Sequence, residues 1–518
     1  MSAKNSEPAV DPGAVHDEEA PGPAISVPES NDTGEGGKLK MIMQLVKKCF
    51  GVKDIAAMRL SLPASLLEPI PNLEYWHYLD RPDVFASIND SEDPFERMLA
   101  VVKFTFTKDL KFVHGKICKP YNSVLGEHFR AHWDVVPASN DFVTSSTRAA
   151  DQASLAPETA SIRSGKSSKS TRSGLSLLSK PGKSPSTAPT SVEAQMSDLS
   201  LEEQRTRIVF LTEQVSHHPP VSSYYAACPD RHIEMYGTDQ ISAKVSGTTV
   251  RVLPGQHNKG IYIKLTGGPG AGEEYRITHP SASVNGVLRG NFYATMTEST
   301  IITCDGAKPG LPKFRTIIEY KEESWLGKAH FLVEGVIHTV HDGDEPWTKV
   351  KAVPHNRVVA IFDGSWRGKI RWRRSDNSEY EDLIDLAALQ PLPKSVRSLE
   401  EMDEYESRKL WGKVTEHLTN KEYSEATREK IEIEQRQRDL ASERKKKGEE
   451  FVPKYFDKDI STGYATLTDA GKKVVEEIMK DAPRKDAKPS ESVKDDDKEA
   501  KDPAPEDTPE AAKAPLPA

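Results

Sequence analysis

The sequence predicts an α+β chain, mainly β, in which an antiparallel sandwich or barrel is flanked by helices. Three observations lead to this prediction. From Arg207 to Trp372, short strand-like runs alternate with turn clusters, and no helical pattern intervenes. After Pro393 turn signals become rare, and residues 399–447 are rich in Glu, Lys, Arg and Gln, which favours helix. An apolar stripe with helical spacing begins at Leu39.

The strand region is identified by its alternation and by its turns. Residues 262–265 (YIKL) and 315–320 (RTIIEY) alternate, or nearly alternate, apolar and polar side chains, as half-buried strands do. Turn clusters fall at residues 246–247, 267–270 and 363–364. Repeated hairpin signals without helical crossovers indicate antiparallel pairing.

The N-terminal stripe predicts an amphipathic helix. Its apolar residues recur at i, i+3, i+4, i+7 and i+11, namely Leu39, Ile42, Met43, Val46 and Phe50. Lysines flank the stripe at positions 38, 40, 47 and 48, and Gly51 suits the end of the helix. The stripe needs an apolar partner, which is a bound ligand, a membrane interface or the barrel wall. Of the flanking cations, Lys47 and Lys48 are the ones we assign to membrane contact.

Three segments are predicted to be disordered: residues 1–36, residues 144–205 and, for the most part, residues 461–518. The ordered domain then spans residues 37–460, with the N-terminal helix within 38–60 and C-terminal helices within 395–450. The Ser-rich segment 144–205 interrupts this domain. It is either a tolerated surface insertion or a phosphorylated regulatory loop.

Composition limits the class of function. The formal net charge of the 518 residues is −9, which argues against bulk nucleic-acid binding. Four cysteines stand far apart without a C-x-x-C pair, so neither a disulfide framework nor a structural zinc site is expected. We find no secretory signal and no apolar run long enough to span a bilayer. These features suit the cytosol.

The most unusual string is EQVSHHPP at residues 213–220. Consecutive prolines end a strand except at a sheet edge, so His217 and His218 should lie where a strand meets a loop. At the mouth of a barrel such a pair could form a turn, bind an anion or ligate a metal. No third metal ligand stands at a usual spacing, which leaves the turn and the anion site open.

Two further strings carry cations. Residues 119–127 read KPYNSVLGE, and they place the Lys119 ammonium and the Asn122 amide around a turn. In the C-terminal helix Arg428, Glu432 and Arg436 fall at i, i+4 and i+8 on one face, where the guanidiniums could fork onto a phosphate. An exposed turn and a solvated helix face are the alternatives.

Taken together, the strings resemble the oxysterol-binding-protein family. EQVSHHPP matches that family's signature, and KPYNSVLGE is similar to its K-P-x-N-x-x-L-G-E string. Weaker similarities occur at residues 98–104, 407–411, 435–436 and 451–456. The resemblance covers roughly residues 38–460, and the chain looks like a short form of the family.

The resemblance implies a large, nearly closed antiparallel β-barrel with an apolar lipid tunnel, an N-terminal lid helix and a C-terminal helical subdomain. It also implies that the protein binds phosphatidylinositol 4-phosphate and a second lipid, a sterol or phosphatidylserine, in a mutually exclusive way. The implied headgroup residues are Lys119, Asn122, His217, His218, Glu432 and Arg436. Arg428 stands where the family has a lysine, so its role in that site is open.

The function expected from the resemblance is extraction and exchange of lipids between membranes, without catalysis, cofactor or metal. The expected partners are membrane lipids and, transiently, anionic membrane surfaces. We expect a monomer in the cytoplasm, peripherally associated with the endoplasmic reticulum, Golgi or plasma membrane. A histidine- or metal-dependent hydrolase and a non-enzymatic lipid sensor or scaffold are the alternatives. No P-loop, G-x-S-x-G or Rossmann motif in a suitable context supports an enzyme.

Overall fold

The computed structural model describes residues 25–26, 35–139 and 205–481, with short gaps at 50, 53, 56–59, 63, 115–118, 247–248, 286–292, 307, 322–329, 342 and 345. Of the segments predicted to be disordered, nearly all of 1–36 and 144–205 therefore lies outside the described residues. So do Phe50 and Cys118. The other three cysteines, Cys49, Cys228 and Cys304, form no disulfide.

Strands dominate the described residues. They are β1 Ile25–Ser26, β2 Leu60–Ser61, β3 His128–Val135, β4 Thr206–His217, β5 Pro220–Cys228, β6 Ile233–Asp239, β7 Ile241–Ser246, β8 Thr249–Pro254, β9 Ile261–Leu265, β10 Glu274–Ile277, β11 Ser281–Asn285, β12 Tyr293–Thr297, β13 Ser299–Asp305, β14 Lys313–Tyr320, β15 Leu332–Val340, β16 Val358–Ser365, β17 Lys369–Arg374 and β18 Glu381–Asp385. Apart from the short parallel pair β1–β2, the pairing among them is antiparallel, as the turn signals predict.

Twelve strands form one sheet in the order β18-β17-β16-β15-β14-β13-β10-β9-β6-β5-β4-β3. Its edge strands β3 and β18 do not pair with each other in the described part of the chain. A second sheet has the order β12-β11-β8-β7. Single residues, Gln240 and Glu298, separate β6 from β7 and β12 from β13. The small sheet therefore extends four neighbouring strands of the large one beyond its rim.

The helices lie before and after the sheet. They are α1 Glu35–Lys48, α2 Asn72–Tyr75, α3 Pro82–Ala86, α4 Pro94–Thr107, α5 Lys111–His114, α6 Ser407–Leu410, α7 Gly412–Thr419, α8 Tyr423–Lys447 and α9 Asp469–Lys480. Helix α4 begins with local signals, because the Asp93 carboxylate accepts from Phe95 N at 2.8 Å and Pro94 occupies the first turn. Its apolar residues are then buried in the main core.

Period-two alternation divides the sheet into two faces. On β5, Tyr224 and Ala226 join the main core with α4, whereas Val221 joins a second core on the opposite face. On β9, Ile263 likewise joins the main core, and Tyr262 joins the second core. One face therefore carries the apolar interior, and part of the other face is covered by residues 455–475.

Helix α1 confirms the predicted N-terminal helix and begins at Glu35, slightly before the predicted position. At its C-terminal end the buried Cys49 packs with Leu45 against Ala243 and Val245 of β7. The Ile55 N–H donates to the Ala243 carbonyl at 2.6 Å. The helix is therefore attached to the small sheet, at the rim where β6 continues into β7.

The C-terminal boundary requires a correction. Residues 461–481, predicted as part of a mostly disordered tail, are ordered, and α9 packs on β3 and β4 through Val474, Val475 and Ile478. The Arg207 guanidinium donates to the Ile478 carbonyl at 3.0 Å and pairs with Asp134. Residues 482–518 lie outside the described part.

The Ser-rich insertion should be removable. Val135 at the end of β3 pairs directly with Thr206 at the start of β4, so the two ends of the insertion are close together. Replacing residues 140–204 with a short Gly/Ser linker should leave the midpoint of thermal unfolding near the wild-type value. Loop length changes closure entropy by only about 0.6 kcal/mol per doubling. A large fall in the midpoint would show that the insertion packs on the barrel.

Candidate functional site

The two strings singled out from the sequence run side by side. Their antiparallel contact includes the His128–Glu213 pair, a bond from Gly126 N to the Gln214 carbonyl at 3.0 Å and one from Gln214 N to the Glu127 carbonyl at 2.8 Å. The strand pairing therefore brings the histidines toward the turn that carries the lysine and the asparagine.

The histidines lie at a hairpin end, as the prolines indicated. His217 is the last residue of β4 and pairs with Pro220, the first of β5. The two imidazole centroids are 4.6 Å apart, and the His218–Pro219 peptide bond is cis. Ser216 Oγ donates to the Pro219 carbonyl at 2.8 Å, which closes the turn. Since Ser222 pairs with Asp239 at the end of β6, the hairpin stands at the rim that the small sheet extends.

One small pocket joins this region to helix α8. It is lined by Leu62, Leu67, Lys119, Asn122, Lys430 and Glu434. Lys119 Nζ donates to Asn122 Oδ1 at 2.7 Å. Lys430 Nζ lies 2.6 Å from Glu434 Oε1, and the Lys430 side chain is only 7% exposed. The pocket therefore holds one exposed and one buried ammonium.

The stripe predicted from the sequence faces elsewhere. Arg428, Glu432 and Arg436 are all exposed. The Arg428 guanidinium lies 3.8 Å from Glu429 Oε1, and that of Arg436 lies 3.0 Å from Glu404 Oε1. These three residues are not among those that line the pocket.

A second stripe with the same spacing lies two residues further along α8. Lys430, Glu434 and Arg438 also stand at i, i+4 and i+8, and Arg438 Nη2 lies 3.5 Å from Glu434 Oε2. Positions two residues apart differ by a rotation of about 200° around the helix axis. The second stripe therefore faces the protein, whereas the first faces solvent. Sequence reasoning missed it because both stripes satisfy the same periodicity.

An apolar base supports the pocket. Tyr121 and Val124, from the KPYNSVLGE string, pack in one buried cluster with Trp411, Val414 and Ala426 of the C-terminal helices. The Tyr121 and Trp411 rings are 5.0 Å apart. This cluster is separate from the main core and fixes α8 against the string that carries Lys119.

A buried carboxylate connects the same parts. Glu127 is fully buried, and its Oε2 accepts from Val124 N at 3.0 Å and from Trp411 Nε1 at 2.9 Å. Its Oε1 accepts from Ser407 Oγ at 2.7 Å. Burial raises the pKa of Glu127, although these hydrogen bonds oppose the shift.

The glutamate of the histidine string has an equivalent role. Glu213 is buried, and its two carboxylate oxygens accept from Lys454 N and Tyr455 N, each at 2.7 Å. It thereby attaches residues 454–456, which cover the outer face of β4 and β5. The first residue of the signature is thus structural, while its histidines are at the rim.

The barrel interior contains a polar cluster that the sequence did not reveal. Tyr78 Oη donates to Asp239 Oδ1 at 2.7 Å, and Asn258 Nδ2 lies 3.3 Å from the same oxygen. Burial raises the pKa of Asp239 to about 7. Tyr224 Oη and His279 Nε2 are buried without a hydrogen-bond partner among the described residues, and both rings pack on Tyr78. Isolated polar residues in apolar strands carry no sequence signal of such a cluster.

His128, Asp403 and Glu406 form a group with metal-ligand chemistry. His128 Nε2 lies 3.0 Å from Asp403 Oδ2. The Glu406 carboxylate, however, already accepts from the Arg397 guanidinium, including a bond of 2.8 Å from Nε to Oε2. A guanidinium fork on the carboxylate disfavours a second cation, so the group fits an ion-pair network better than a metal site.

These features define a mainly-β protein with an apolar interior and a charged rim, and known proteins share them. The family model described as oxysterol-binding protein matches residues 41–417. The oxysterol-binding protein-like protein 1 of Schizosaccharomyces pombe is 40% identical over 491 residues, which cover 86% of this chain and 92% of the relative. The chain therefore belongs to the oxysterol-binding protein family.

More distant relatives agree. Oxysterol-binding protein homolog 7 of Saccharomyces cerevisiae is 26% identical over 426 residues, covering 82% of this chain and 76% of the relative. The structure of the Osh1 ORD domain in complex with cholesterol has a TM-score of 0.54 at 18% identity, and covers 87% of this chain and 90% of that chain. That of Osh3 ORD in complex with PI(4)P from S. cerevisiae has a TM-score of 0.51 at 14% identity, and covers 90% and 98%.

At these identities the structural likeness concerns the fold, and it confirms the predicted mainly-β barrel with helices at both ends. Among the helices that the structure describes, none combines the length and the apolar character that a membrane span requires.

The Glu127 contacts predict a contrast between two substitutions. Glu127→Gln keeps an oxygen for Val124 N and Trp411 Nε1, and its amide can donate to Ser407 Oγ. Glu127→Ala leaves two buried N–H donors unpaired, at about 1–3 kcal/mol each. In chemical denaturation we expect the alanine variant to lose several kcal/mol and the glutamine variant to stay within about 1 kcal/mol of wild type.

The stability of wild type and that of Glu127→Gln should also depend differently on pH. Since burial raises the pKa of Glu127, the folded state retains this proton at a pH where the unfolded chain has lost it. Wild type should therefore lose stability relative to Glu127→Gln as pH rises through the folded-state pKa. Exposed Glu432→Ala is the control. Equal losses for Gln and Ala at all pH values would contradict this account.

Proposed function

We propose that the protein binds phosphatidylinositol 4-phosphate and a second lipid, one at a time, inside the barrel and exchanges them between membranes. The observation that carries the proposal is the juxtaposition of Lys119, Asn122 and the buried Lys430 in one pocket. The string that carries Lys119 and Asn122 continues into β3, which pairs with the histidine string. Phosphate monoesters are bound by such convergent charge-assisted donors. Related structures, one in complex with cholesterol and one in complex with PI(4)P, support the same pair of ligand classes.

The headgroup site we propose consists of Lys119, Asn122, His217 and His218 with Lys430 and Arg438. Glu434 holds both α8 cations, at 2.6 Å from Lys430 Nζ and 3.5 Å from Arg438 Nη2. A headgroup phosphate would become a further acceptor for these two cations. Glu432 and Arg436, which the resemblance implies, and Arg428, whose role it left open, remain candidates only for contacts outside the pocket.

The interior cluster supports a second lipid with a small polar end. Tyr224 Oη and His279 Nε2 are buried without a partner among the described residues, and an unpaired buried polar group costs about 1–3 kcal/mol. A hydroxyl placed between them, Tyr78 and Asp239 would satisfy these groups. A sterol supplies one hydroxyl on an apolar body, so the cluster favours a sterol over phosphatidylserine, whose headgroup is charged.

Helix α1 is proposed as the lid. Its C-terminal end is attached to β7 at the rim, and Ile42 and Met43 are only partly buried. Lys47 and Lys48 are exposed. We propose that the apolar stripe covers bound lipid and turns to the bilayer interface during exchange, with the lysines facing anionic headgroups.

The two helix stripes supply a matched test of the headgroup site. Lys430→Gln should reduce extraction of phosphatidylinositol 4-phosphate from liposomes by at least about tenfold, because a charge-assisted bond contributes about 1.5–3 kcal/mol. The same change at Arg428, made as Arg428→Gln on the exposed face, should leave extraction within about twofold of wild type. The double variant His217→Ala with His218→Ala should abolish extraction.

Each variant requires an unfolding curve, since Lys430 is buried. A second variant, Lys430→Arg, keeps the charge, and it should retain more extraction than the glutamine if charge is what matters. Equal extraction by folded Lys430→Gln and wild type would refute the pocket. Loss at Arg428 instead of Lys430 would restore the stripe first expected from the sequence.

Removal of residues 35–51 tests the lid. The barrel should remain folded, because the cluster that joins α1 to β7 is separate from the main core, but it should lose bound lipid faster in a dilution assay and transfer lipid more slowly. Lys47→Glu with Lys48→Glu should slow transfer mainly from anionic liposomes, and added salt should have the same effect on wild type. Transfer rates unaffected by both changes would leave α1 a purely structural helix.

A further inference from the structure

The last turn of α8 is strongly cationic. Residues 444–447, here called the cationic turn, read Arg-Lys-Lys-Lys, and positions 445–447 are exposed. The whole chain carries a formal charge of −9, so this cluster is opposite in sign to the protein that bears it.

The charges are not needed to cap the helix. Gly448 adopts a left-handed conformation with φ 68°, and its N–H donates to the Lys445 carbonyl at 3.2 Å. The Glu449 N–H donates to the Arg444 carbonyl at 2.9 Å. The backbone itself therefore satisfies carbonyls of the last turn. The lysines can still stabilise the helix by interacting with its dipole, but this stabilisation is small for exposed side chains.

An exposed apolar side chain stands beside the cationic turn. Val452 is 71% exposed, more than any other large apolar side chain that the structure describes. Its neighbours are fixed, because Pro453 is buried and the Glu213 carboxylate accepts from Lys454 N. The Phe451 ring lies against Gly126, at 3.4 Å from the position of a Cβ there. Val452 thus projects from a rigid loop.

The loop also connects the cationic turn to the headgroup string. The Arg444 guanidinium lies 5.8 Å from the centre of the Phe451 ring, and that ring contacts the KPYNSVLGE string at Gly126. Lys454 is exposed and lies 4.8 Å from the Tyr455 ring centre. Across residues 444–454 five cationic side chains stand against two carboxylates, Glu449 and Glu450.

We infer that residues 444–454 form a docking surface for anionic membranes, separate from the lid. Clustered lysines attract a negatively charged bilayer surface, and an exposed aliphatic side chain enters the interfacial region. The contact through Gly126 would keep the headgroup pocket at a fixed height above the bilayer. The inference rests on the proposed function only in that exchange requires a membrane.

The experiment measures cosedimentation with vesicles made of equal parts phosphatidylcholine and phosphatidylglycerol, which contain no proposed cargo lipid. Lys446→Glu with Lys447→Glu should reduce the bound fraction at least about tenfold. Lys446→Gln with Lys447→Gln should have an intermediate effect, and Val452→Ser should weaken binding that persists in high salt. Vesicles of phosphatidylcholine alone should bind all variants weakly.

The control is Lys349→Glu with Lys351→Glu, which reverses two exposed charges elsewhere on the protein. If the 446/447 variants bind vesicles like wild type, the inference is wrong, and this is the outcome expected if the surface binds an acidic protein instead. An equal loss of vesicle binding in the control variant would also overturn the inference. The result is independent of the headgroup site. Folded Lys430→Gln should bind these vesicles like wild type while failing to extract phosphatidylinositol 4-phosphate.

Discussion

The burial of two glutamates determines how this molecule is joined together. Glu127 connects the KPYNSVLGE string to α6 and Trp411, and Glu213 connects the histidine string to residues 454–455. Each carboxylate accepts backbone N–H groups that have no strand or helix partner, and buried N–H groups cannot be left without one. The residues proposed to bind the headgroup include those in the turns next to these two anchors. Buried contacts therefore set the positions of these turns.

The alternation of the strands explains how one sheet serves two purposes. Inward-facing positions supply the apolar interior, while outward-facing positions of β4, β5, β6 and β9 are covered by the segment after α8. Tyrosines on the outer face contact this covering segment directly. The Tyr262 and Tyr464 rings stack at 4.2 Å, and Tyr236 and Tyr464 both donate to the Glu274 carboxylate. The C-terminal segment thus stabilises the wall from outside without filling the interior.

The fold could be predicted from the sequence, and so could the turn and hairpin residues of the proposed site, for identifiable reasons. Alternation and turn residues are local signals, so the antiparallel sheet and the N-terminal helix were recognisable. The sequence could not show which cations of α8 face the pocket. The stripes Arg428-Glu432-Arg436 and Lys430-Glu434-Arg438 have the same spacing, and only their burial in the folded protein distinguishes them. Helix α9 was hidden because the charged pairs 472–473 and 476–477 surround Val474, Val475 and Ile478.

The pairing of Lys430 with Glu434 suits a carrier better than an isolated lysine would. A buried ammonium without a partner carries a desolvation penalty of several kcal/mol, which a bound phosphate would relieve. The phosphate would then be held so tightly that release became slow. With Glu434 at 2.6 Å, the lysine is already compensated before any ligand arrives, and a phosphate gains only the difference. The resulting lower affinity would allow a second lipid to displace the first, as the proposed exchange requires.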